Sequence, residues 1–485
     1  MNFVLDKDKL VNEIIALNEH QKKTLEYGLS SFLDKFEEII TKHCGRNAIV
    51  HTNYNPNIKT ILVSQMNGIG DAILLSGFMR ELRKAFPTAY IIFVCANNTY
   101  DIYQYCPYIN EIIAFNINTQ DLIKDSVLLA KEKLWDKYID FAVTPNSGEN
   151  NKNSLIFNFF SLANECIGYG ECNYDHLYTR EESESKNLLL GQACTLDFKL
   201  LHKHIRFPKE YIHEIPRKMF LLQNLIALNN IDYAVSNTGL EIWYTHEDLN
   251  IVNNLLKDIH TKKIVLGIGG SYGAKLYSIQ KYIQILNKIN NYELKINKQL
   301  PVFFISCGKD EERFANEIKN KINNTIILYD KLSLRQTMVL ISQSDMYIGN
   351  DTGMVHVASL TNKPIIELNC QAKNTDNYFQ YYASIFDRFR PWSQNCIILR
   401  PKKALGECNT QKYLVTGHCL YGVDIKNDKT IPTNKLKGEL GHCINQIQPR
   451  QVFEVYKAII QGNMNADINT NPYLQKLHFK EIIFN

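Results

Sequence analysis

Short runs of apolar, often β-branched residues alternate along this chain with longer stretches in which apolar residues recur at helical spacing. The first run is Thr60–Gln65; a glycine-containing turn at residues 66–71 follows it, and then an amphipathic pattern over residues 72–86. Strand patterns that alternate with helical patterns are typical of a parallel sheet with helices on both faces. The pattern therefore predicts an α/β fold that binds ligands beyond the carboxyl ends of its strands.

The alternation occurs twice, and the pattern is weaker between the two series, at about residues 147–241. The second series begins near Lys263. Residues 1–57 show helical spacing, which fits either a dimerisation arm or a support for the domain that follows. We predict four regions: a helical extension (1–57), a first α/β domain (58–245), a second α/β domain (246–460) and a C-terminal tail (461–485).

Composition narrows the class of protein only modestly. The 485 residues are 45% hydrophobic and carry a formal net charge of +4, which is too small to indicate nucleic-acid binding by itself. The 12 cysteines are scattered without the regular spacing of a disulfide scaffold. The N-terminus has no signal-peptide pattern and no apolar run is long enough to span a membrane. We expect a cytoplasmic protein, with peripheral contact with the inner membrane left open.

The stretch at residues 347–368 predicts a strand, a polar turn, a short helix and a second strand. Four residues end the apolar run and can cap the helix: Asn350, Asp351, Thr352 and Gly353. The backbone N–H groups of Thr352, Gly353 and Met354 would then lie at a helix N-terminus, which binds anions readily. His356 falls in the first turns of the same helix. The alternative is an ordinary strand-to-helix turn of an α/β domain.

Three stretches in this order and spacing resemble the heptosyltransferase family of glycosyltransferases: residues 61–87, 264–282 and 344–368. The fragment at 303–312 is similar in the same order, and weaker similarity continues over 441–459. The resemblance implies a GT-B fold, in which two Rossmann-like domains face each other across a cleft. The first domain would bind the acceptor and the second the nucleotide-sugar donor, and the tail would pack back on the first.

The resemblance implies an inverting, single-displacement transfer without a divalent metal. Asp71 matches the proposed general base of the family, which accepts the proton of the attacking hydroxyl. Its residue type fits equally well an N-cap for a helix that begins at Ala72. These two roles compete, because a helix N-terminus weakens a carboxylate base.

The other matched residues would bind the donor. Lys275 matches the phosphate-binding lysine of the family, or is a solvated surface lysine, and Gly270 and Ser271 would add a small anion nest. Thr352, Gly353 and Met354 would donate backbone N–H groups to the diphosphate. Asp351 would shape the turn, and His356 would donate to a phosphate oxygen or orient the turn.

Two further matches concern the nucleoside. Glu311 aligns with a family acid near the ribose, although it can equally be a helix-stabilising glutamate of a first turn. Leu332 lies where the family lines the base pocket with an apolar residue.

Four cysteines fall where some relatives carry a cysteine cluster: Cys396, Cys408, Cys419 and Cys443. Their spacings are long and irregular and include no Cys-x-x-Cys pair. We expect free thiols and no metal site.

We therefore expect a glycosyltransferase that moves a sugar, with heptose from ADP-heptose as the leading candidate, onto a lipopolysaccharide-type or other surface glycoconjugate. The nucleotide sugar would be a substrate, and no cofactor is expected. A protein acceptor, as for the autotransporter-modifying O-heptosyltransferases, remains open. A non-catalytic nucleotide-sugar-binding protein and a sugar-nucleotide epimerase on the same fold are alternatives. Detecting a transferred sugar would indicate the glycosyltransferase, and detecting an epimerised sugar would indicate the epimerase.

Overall fold

The computed structural model describes residues 6–24, 35–39, 59–146, 152–169, 200–205, 211–270, 275–373, 385–404, 421–424, 429–432, 443–462 and 480–484. The chain divides into two compact units, Met1–Thr238 and Gly239–Asn485. The division lies just before residue 245, the predicted end of the first domain.

The elements of the first unit alternate between strand and helix. Its helices are α1 (Lys7–Thr24), α2 (Ile69–Ala85), α3 (Tyr100–Tyr103), α4 (Leu122–Lys133), α5 (Lys152–Phe160) and α6 (Glu214–Leu228). Its strands are β1 (Thr60–Gln65), β2 (Tyr90–Ala96), β3 (Glu111–Phe115), β4 (Phe141–Thr144), β5 (Glu165–Tyr169) and β6 (Lys203–Ile205).

The strands of the first unit form a parallel sheet in the order β3-β2-β1-β4-β5-β6. The chain runs from β1 outward through β2 and β3, then returns to β4 on the other side of β1. Because successive connections leave in opposite directions there, β1 and β4 enclose the switch point at which ligands bind in doubly wound sheets. The β1 strand is buried from Ile61 to Gln65, which explains its apolar run at residues 61–63.

The N-terminal extension is part of the first unit wherever it is described. Leu10, Val11 and Ile14 of α1 are almost fully buried in the same hydrophobic cluster as Leu62 of β1. The Asn18 amide donates to Asp121, the residue that caps α4. Of the two roles considered for residues 1–57, the described part therefore supports the domain that follows it.

The second unit repeats the alternation. Its helices are α7 (His246–Leu256), α8 (Ile279–Asn297), α9 (Glu312–Lys321), α10 (Leu334–Gln343), α11 (Gly353–Ala358), α12 (Ile385–Phe389) and α13 (Pro449–Ile460), with a 3₁₀ turn at Lys309–Glu311. Its strands are β7 (Lys263–Gly267), β8 (Val302–Ser306), β9 (Thr325–Ile327), β10 (Met346–Asn350), β11 (Ile365–Leu368), β12 (Cys396–Pro401), β13 (Tyr421–Asp424), β14 (Lys429–Pro432) and β15 (Lys480–Phe484).

Seven of these strands form a second parallel sheet in the order β15-β12-β11-β10-β7-β8-β9. The chain leaves β7 toward β9 and later crosses back to β10, so β7 and β10 enclose the second switch point. Strands β13 and β14 pair separately as an antiparallel hairpin.

The described strand of the C-terminal tail corrects one prediction. Residues 461–485 were expected to pack back on the first domain. Instead β15 pairs with β12, from Ile397 opposite Lys480 to Pro401 opposite Phe484, and forms an edge of the second sheet.

Two other features differ from the sequence pattern. Helix α2 begins at Ile69 and not at Ala72, so the predicted glycine turn is shorter. The weakly patterned region contains β5 and β6, two strands of five and three residues that complete the first sheet. Among the described residues no helix is long and apolar enough to cross a membrane.

Candidate functional site

The switch point of the second unit is held together by one buried amide. Asn350, the last residue of β10, is fully buried. Its Nδ2 donates to the carbonyl oxygens of Ile268 and Gly269 at 2.9 and 3.0 Å, and its Oδ1 accepts from the Tyr282 hydroxyl at 2.9 Å. Asn350 thereby ties the turn after β10 to the glycine turn after β7. The sequence pattern indicated that Asn350 ends the strand or helps to cap the helix, and did not predict this link between the two turns.

The strands at this switch point approach each other so closely that glycine is required. A Cβ on Gly349 would lie 2.7 Å from the Gly267 carbonyl oxygen, and one on Gly267 would lie 1.8 Å from the Tyr347 hydroxyl oxygen. The Tyr347 hydroxyl therefore fills the space above Gly267. The two glycines set the spacing between the turns that follow them.

The polar turn and the short helix form as predicted. Helix α11 begins at Gly353 with Thr352 as its N-cap residue, although the Thr352 side chain makes no capping hydrogen bond. The Asp351 N–H donates to the Leu368 carbonyl oxygen at 3.3 Å, which joins the turn to β11. Met354 follows in the first helical turn. The backbone geometry expected of an anion site is present, and its use in donor binding stays a prediction.

Lys275 lies beside this turn. Its Nζ is 2.8 Å from Asp351 Oδ2, and both side chains are about one-fifth exposed, at 17% and 19%. Lys275 follows the glycine turn after β7, yet its side chain contacts the turn after β10. A solvated surface lysine, the alternative interpretation, would have no reason to make this contact. In this structure the Asp351 carboxylate is thus a partner of the Lys275 ammonium group.

Two buried titratable groups flank the ion pair. Burial lowers the pKa of His356 to about 4, although Asp351 opposes the shift, so the imidazole is neutral at pH 7. Burial raises the pKa of Glu367 on β11 to about 8, and Asp351 adds to the rise. Glu367 Oε1 accepts from the Asn369 amide at 2.7 Å. Within the described residues, His356 Nδ1 and Glu367 Oε2 have no hydrogen-bond partner.

The predicted nucleoside residues occupy the ends of the neighbouring elements. Glu311 Oε2 accepts from the Gly308 N–H at 3.0 Å and so caps its own 3₁₀ turn, as the alternative interpretation expected. The same oxygen lies 3.7 Å from where a Cβ on Gly269 would be, which places the carboxylate beside the glycine turn. Leu332 is half-buried just before α10. Gly270 follows Gly269, and Ser271 lies outside the described residues.

The switch point of the first unit carries Asp71. This residue lies in the first turn of α2, whose N-cap is Gly68. The expectation that Asp71 might serve as the N-cap is therefore wrong, because the helix begins before it. Asp71 Oδ1 instead accepts from the Asn146 amide at 3.3 Å. Since Asn146 follows β4, the two residues come from the two strands that enclose the switch point.

Behind Asn146 lies a buried ionic cluster that sequence reasoning missed. The Lys218 ammonium donates to Asn146 Oδ1 and to Glu214 Oε2, the latter at 3.2 Å, and Arg217 Nη1 lies 3.4 Å from Glu214 Oε1. Three charged residues at this spacing on an otherwise apolar helix were a usable signal, since charged groups are seldom buried unless paired. Nothing in the sequence joined them to Asp71.

The cysteines give no indication of a metal centre where they are described. Cys396 is a buried free thiol on β12 and Cys443 is a free thiol that is partly exposed, whereas Cys408 and Cys419 lie outside the described residues. Within the described ranges, no group of three or more His, Cys, Asp or Glu side chains could hold a metal ion.

Comparison with known proteins gives the family resemblance independent support. The model of glycosyltransferase family 9 (heptosyltransferase) matches residues 191–409, which include Lys275 and the Asp351 turn but not Asp71. No curated protein sequence matches the chain significantly.

Two solved structures share the fold over most of the chain. A family 9 glycosyl transferase from Veillonella parvula is 16% identical with a TM-score of 0.57, over 83% of this chain and 98% of its own. The E. coli ADP-heptose lipopolysaccharide heptosyltransferase II is 15% identical with a TM-score of 0.53, over 83% of this chain and 99% of its own.

These two matches show that the chain has the GT-B fold, as predicted. The resemblance to the heptosyltransferase family is confirmed by the family match. The chain is thus similar to the heptosyltransferase family over residues 191–409, and glycosyltransferases of this kind take their sugar from a nucleotide-sugar donor.

Proposed function

We propose that this enzyme transfers heptose from ADP-heptose to a lipopolysaccharide-type or other surface glycan, with inversion at the anomeric carbon and without a divalent metal. The observation that carries the proposal is the meeting of Lys275 with the Asp351 turn at a strand switch point, inside the stretch that matches the heptosyltransferase family. The printed name of the E. coli relative supports ADP-heptose as the first donor to test.

In the proposed reaction, an acceptor hydroxyl attacks the anomeric carbon while its proton passes to the Asp71 carboxylate. The bond between the anomeric carbon and the diphosphate oxygen breaks, and ADP leaves with the bonding electrons. Asp71 is suited to this role by its place at the carboxyl edge of the first sheet. A positioned general base contributes roughly 10²–10⁴ in rate.

On the donor side, the diphosphate would replace Asp351 as the partner of Lys275. The lysine charge and the N–H groups of Thr352, Gly353 and Met354 would stabilise the leaving group as its charge grows. Gly270 and Ser271 would close the phosphate site from the other turn. His356 would donate from a neutral ring, Glu311 would accept from the ribose hydroxyls, and Leu332 would pack against the base.

Thermal unfolding against a panel of ADP-, UDP-, GDP- and CMP-sugars tests the donor assignment. A specific donor at about 100 times its Kd stabilises the folded state by roughly 2.7 kcal/mol. Stabilisation by ADP-heptose and by ADP is the expected result. Stabilisation by UDP or GDP compounds alone would overturn heptose as the sugar while keeping the class of enzyme.

Transfer assays then separate the acceptors. The protein is incubated with labelled ADP-heptose and either a lipopolysaccharide core glycan or an autotransporter fragment, with and without EDTA. Label on the glycan that persists in EDTA is expected. Label on the polypeptide would replace the glycan proposal with protein O-heptosylation. Donor binding with no labelled acceptor and no release of free labelled heptose would favour a non-catalytic binding protein.

A further inference from the structure

The orientation of the Asn146 amide follows from the chemistry of its neighbours. An ammonium group can only donate hydrogen bonds, so the oxygen of the amide must face Lys218. The amide nitrogen then faces Asp71 Oδ1 and can only donate to it. Asn146 is 4% exposed and Lys218 fully buried, so neither can exchange these partners for bulk water.

Two acidic and two basic side chains are linked through Asn146 among the described contacts. Asp71 and Glu214 each carry a negative charge, and Lys218 and Arg217 each carry a positive one. Lys218 and Arg217 both pair with Glu214, and their side chains are buried with it at 0% and 1% exposure. An uncompensated buried charge is costly, so an ionised Asp71 on the far side of the Asn146 amide favours the charged form of Lys218.

We propose that Asn146 and Lys218 are positioning residues that hold the Asp71 carboxylate in one orientation and in its ionised form. This inference rests on the proposed role of Asp71 as the general base. It assigns functions to one residue of the turn after β4 and to one residue of α6. Neither residue belongs to the motifs that carry the family resemblance.

The arrangement has a direct consequence for the base. Donation by Asn146 favours the charged carboxylate over the protonated acid, because an acid group that has taken up a proton accepts less strongly. Asp71 is therefore ready to accept a proton at the start of each turnover. Protonation of Asp71 weakens the hydrogen bond from Asn146, which favours return of the proton once the product has left.

Other groups on the packed elements also bear on the charge of Asp71. The Tyr103 hydroxyl of α3 donates to the Ala72 carbonyl oxygen at 2.6 Å, and burial raises its pKa well above the usual range, so it stays neutral. His213, the N-cap of α6, accepts from the Ile215 N–H through Nδ1 and is therefore unprotonated at that nitrogen. Among the described contacts, the charged groups linked to Asp71 through Asn146 are therefore Lys218, Arg217 and Glu214.

The direct test is to titrate Asp71 by NMR in protein labelled with ¹³C at the aspartate carboxyls, with Asp71→Asn used to assign the signal. Asn146→Asp and Lys218→Met are each expected to raise the Asp71 midpoint by about one pH unit or more, because each removes a group that favours the charged carboxylate. Lys84→Met is the matched control: Lys84 also pairs with a buried glutamate, at 3.1 Å from Glu81, at the far end of the same helix α2.

An unchanged Asp71 midpoint in the two folded variants would overturn the proposal, as would an equal rise in Lys84→Met. Because the two test variants change different residues, either one alone tests the proposal if the other does not fold. Because the titration needs no substrate, it stays decisive even if ADP-heptose is not the donor.

A kinetic readout links the midpoint to function. The pH dependence of ADP release from ADP-heptose, with water as acceptor, reports the free enzyme's base through kcat/KM. In both test variants the acidic limb of the kcat/KM profile should move to higher pH. The affinity for ADP should stay unchanged. A lower rate at every pH with an unmoved limb would indicate a merely structural role. No release by the wild-type protein would count against the proposed function and leave the NMR result standing.

Discussion

The two switch points each contain a fully buried glutamate, and the two are neutralised in opposite ways. Glu214 of the first unit contacts Lys218 and Arg217, both of which are buried with it. Glu367 of the second unit contacts the neutral Asn369 amide, and burial raises its pKa to about 8. Residue type and burial are the same, so the difference lies in the contacts: two cations pair directly with Glu214, whereas a neutral amide contacts Glu367.

The difference separates two kinds of site. In the first unit the charges are matched within the chain, and the cluster can serve one fixed carboxylate, Asp71. In the second unit the Lys275–Asp351 pair is partly exposed, and His356 Nδ1 and Glu367 Oε2 lack partners among the described residues. A buried polar atom without a partner costs about 1–3 kcal/mol, so this second site retains unused capacity for hydrogen bonds.

Replacing Asp71 by alanine gives the largest expected effect, because it removes the group that the first cluster serves. Turnover should fall by roughly 10²–10⁴, whereas the affinity for ADP should stay within a factor of about two. Initial rates of transfer and calorimetric ADP binding are the measurements. Turnover at the wild-type level would remove Asp71 from the mechanism.

Glu214→Gln breaks the charge matching of the first unit. It leaves Lys218 and Arg217 buried together without their shared carboxylate, and breaking a buried pair typically costs about 3–5 kcal/mol. Denaturant unfolding at pH 7 measures the loss. Glu132→Gln is the control, because Glu132 pairs with Lys133 while 65% exposed, and we expect it to cost less than about 1 kcal/mol.

Lys275→Ala tests the charge of the second site. Charge-assisted hydrogen bonds contribute about 1.5–3 kcal/mol, so ADP affinity should fall by roughly 10- to 150-fold. Lys263→Ala is the control: Lys263 is 3.5 Å from Asp345 and stands at the opposite, N-terminal end of β7. Equal losses of ADP affinity in the two variants would show that Lys275 has no specific role.

Glu367→Gln should have an effect on stability that depends on pH and is smallest near pH 4.5. The pKa of Glu367 is raised from 4.5 to about 8, so its stabilising contribution is complete below about pH 4.5 and is lost as the pH rises through about 8. The variant should match the wild type near pH 4.5 and become the more stable protein toward pH 8. The measurement is the free energy of unfolding of both proteins from pH 4.5 to pH 8. A constant difference between them across this range would contradict a protonated Glu367.

Much of the fold could be predicted because its signals are local. The β1 strand has the predicted ends. Ser333, of a residue type that favours N-cap positions, caps α10 with its hydroxyl accepting from the Gln336 N–H at 3.2 Å. The β6 strand could not be predicted, because three residues are too few for any periodicity. The position of β15 depends on its pairing with β12 about 80 residues earlier in the chain, which leaves no local pattern.

The candidate site likewise has features that the sequence predicts and features that depend on the tertiary structure. The sequence by itself determined the residue types at the strand ends: Asp71, Lys275 and the Asn350–Gly353 turn. Only the tertiary structure decided that Asn146, 75 residues from Asp71, donates to its carboxylate, and that Lys218, 72 residues further on, fixes the amide. It also decided that Glu367 is protonated while Glu214 is paired. The reason is physical: caps and turns depend on neighbours in the chain, whereas charge state and hydrogen-bond direction depend on neighbours in space.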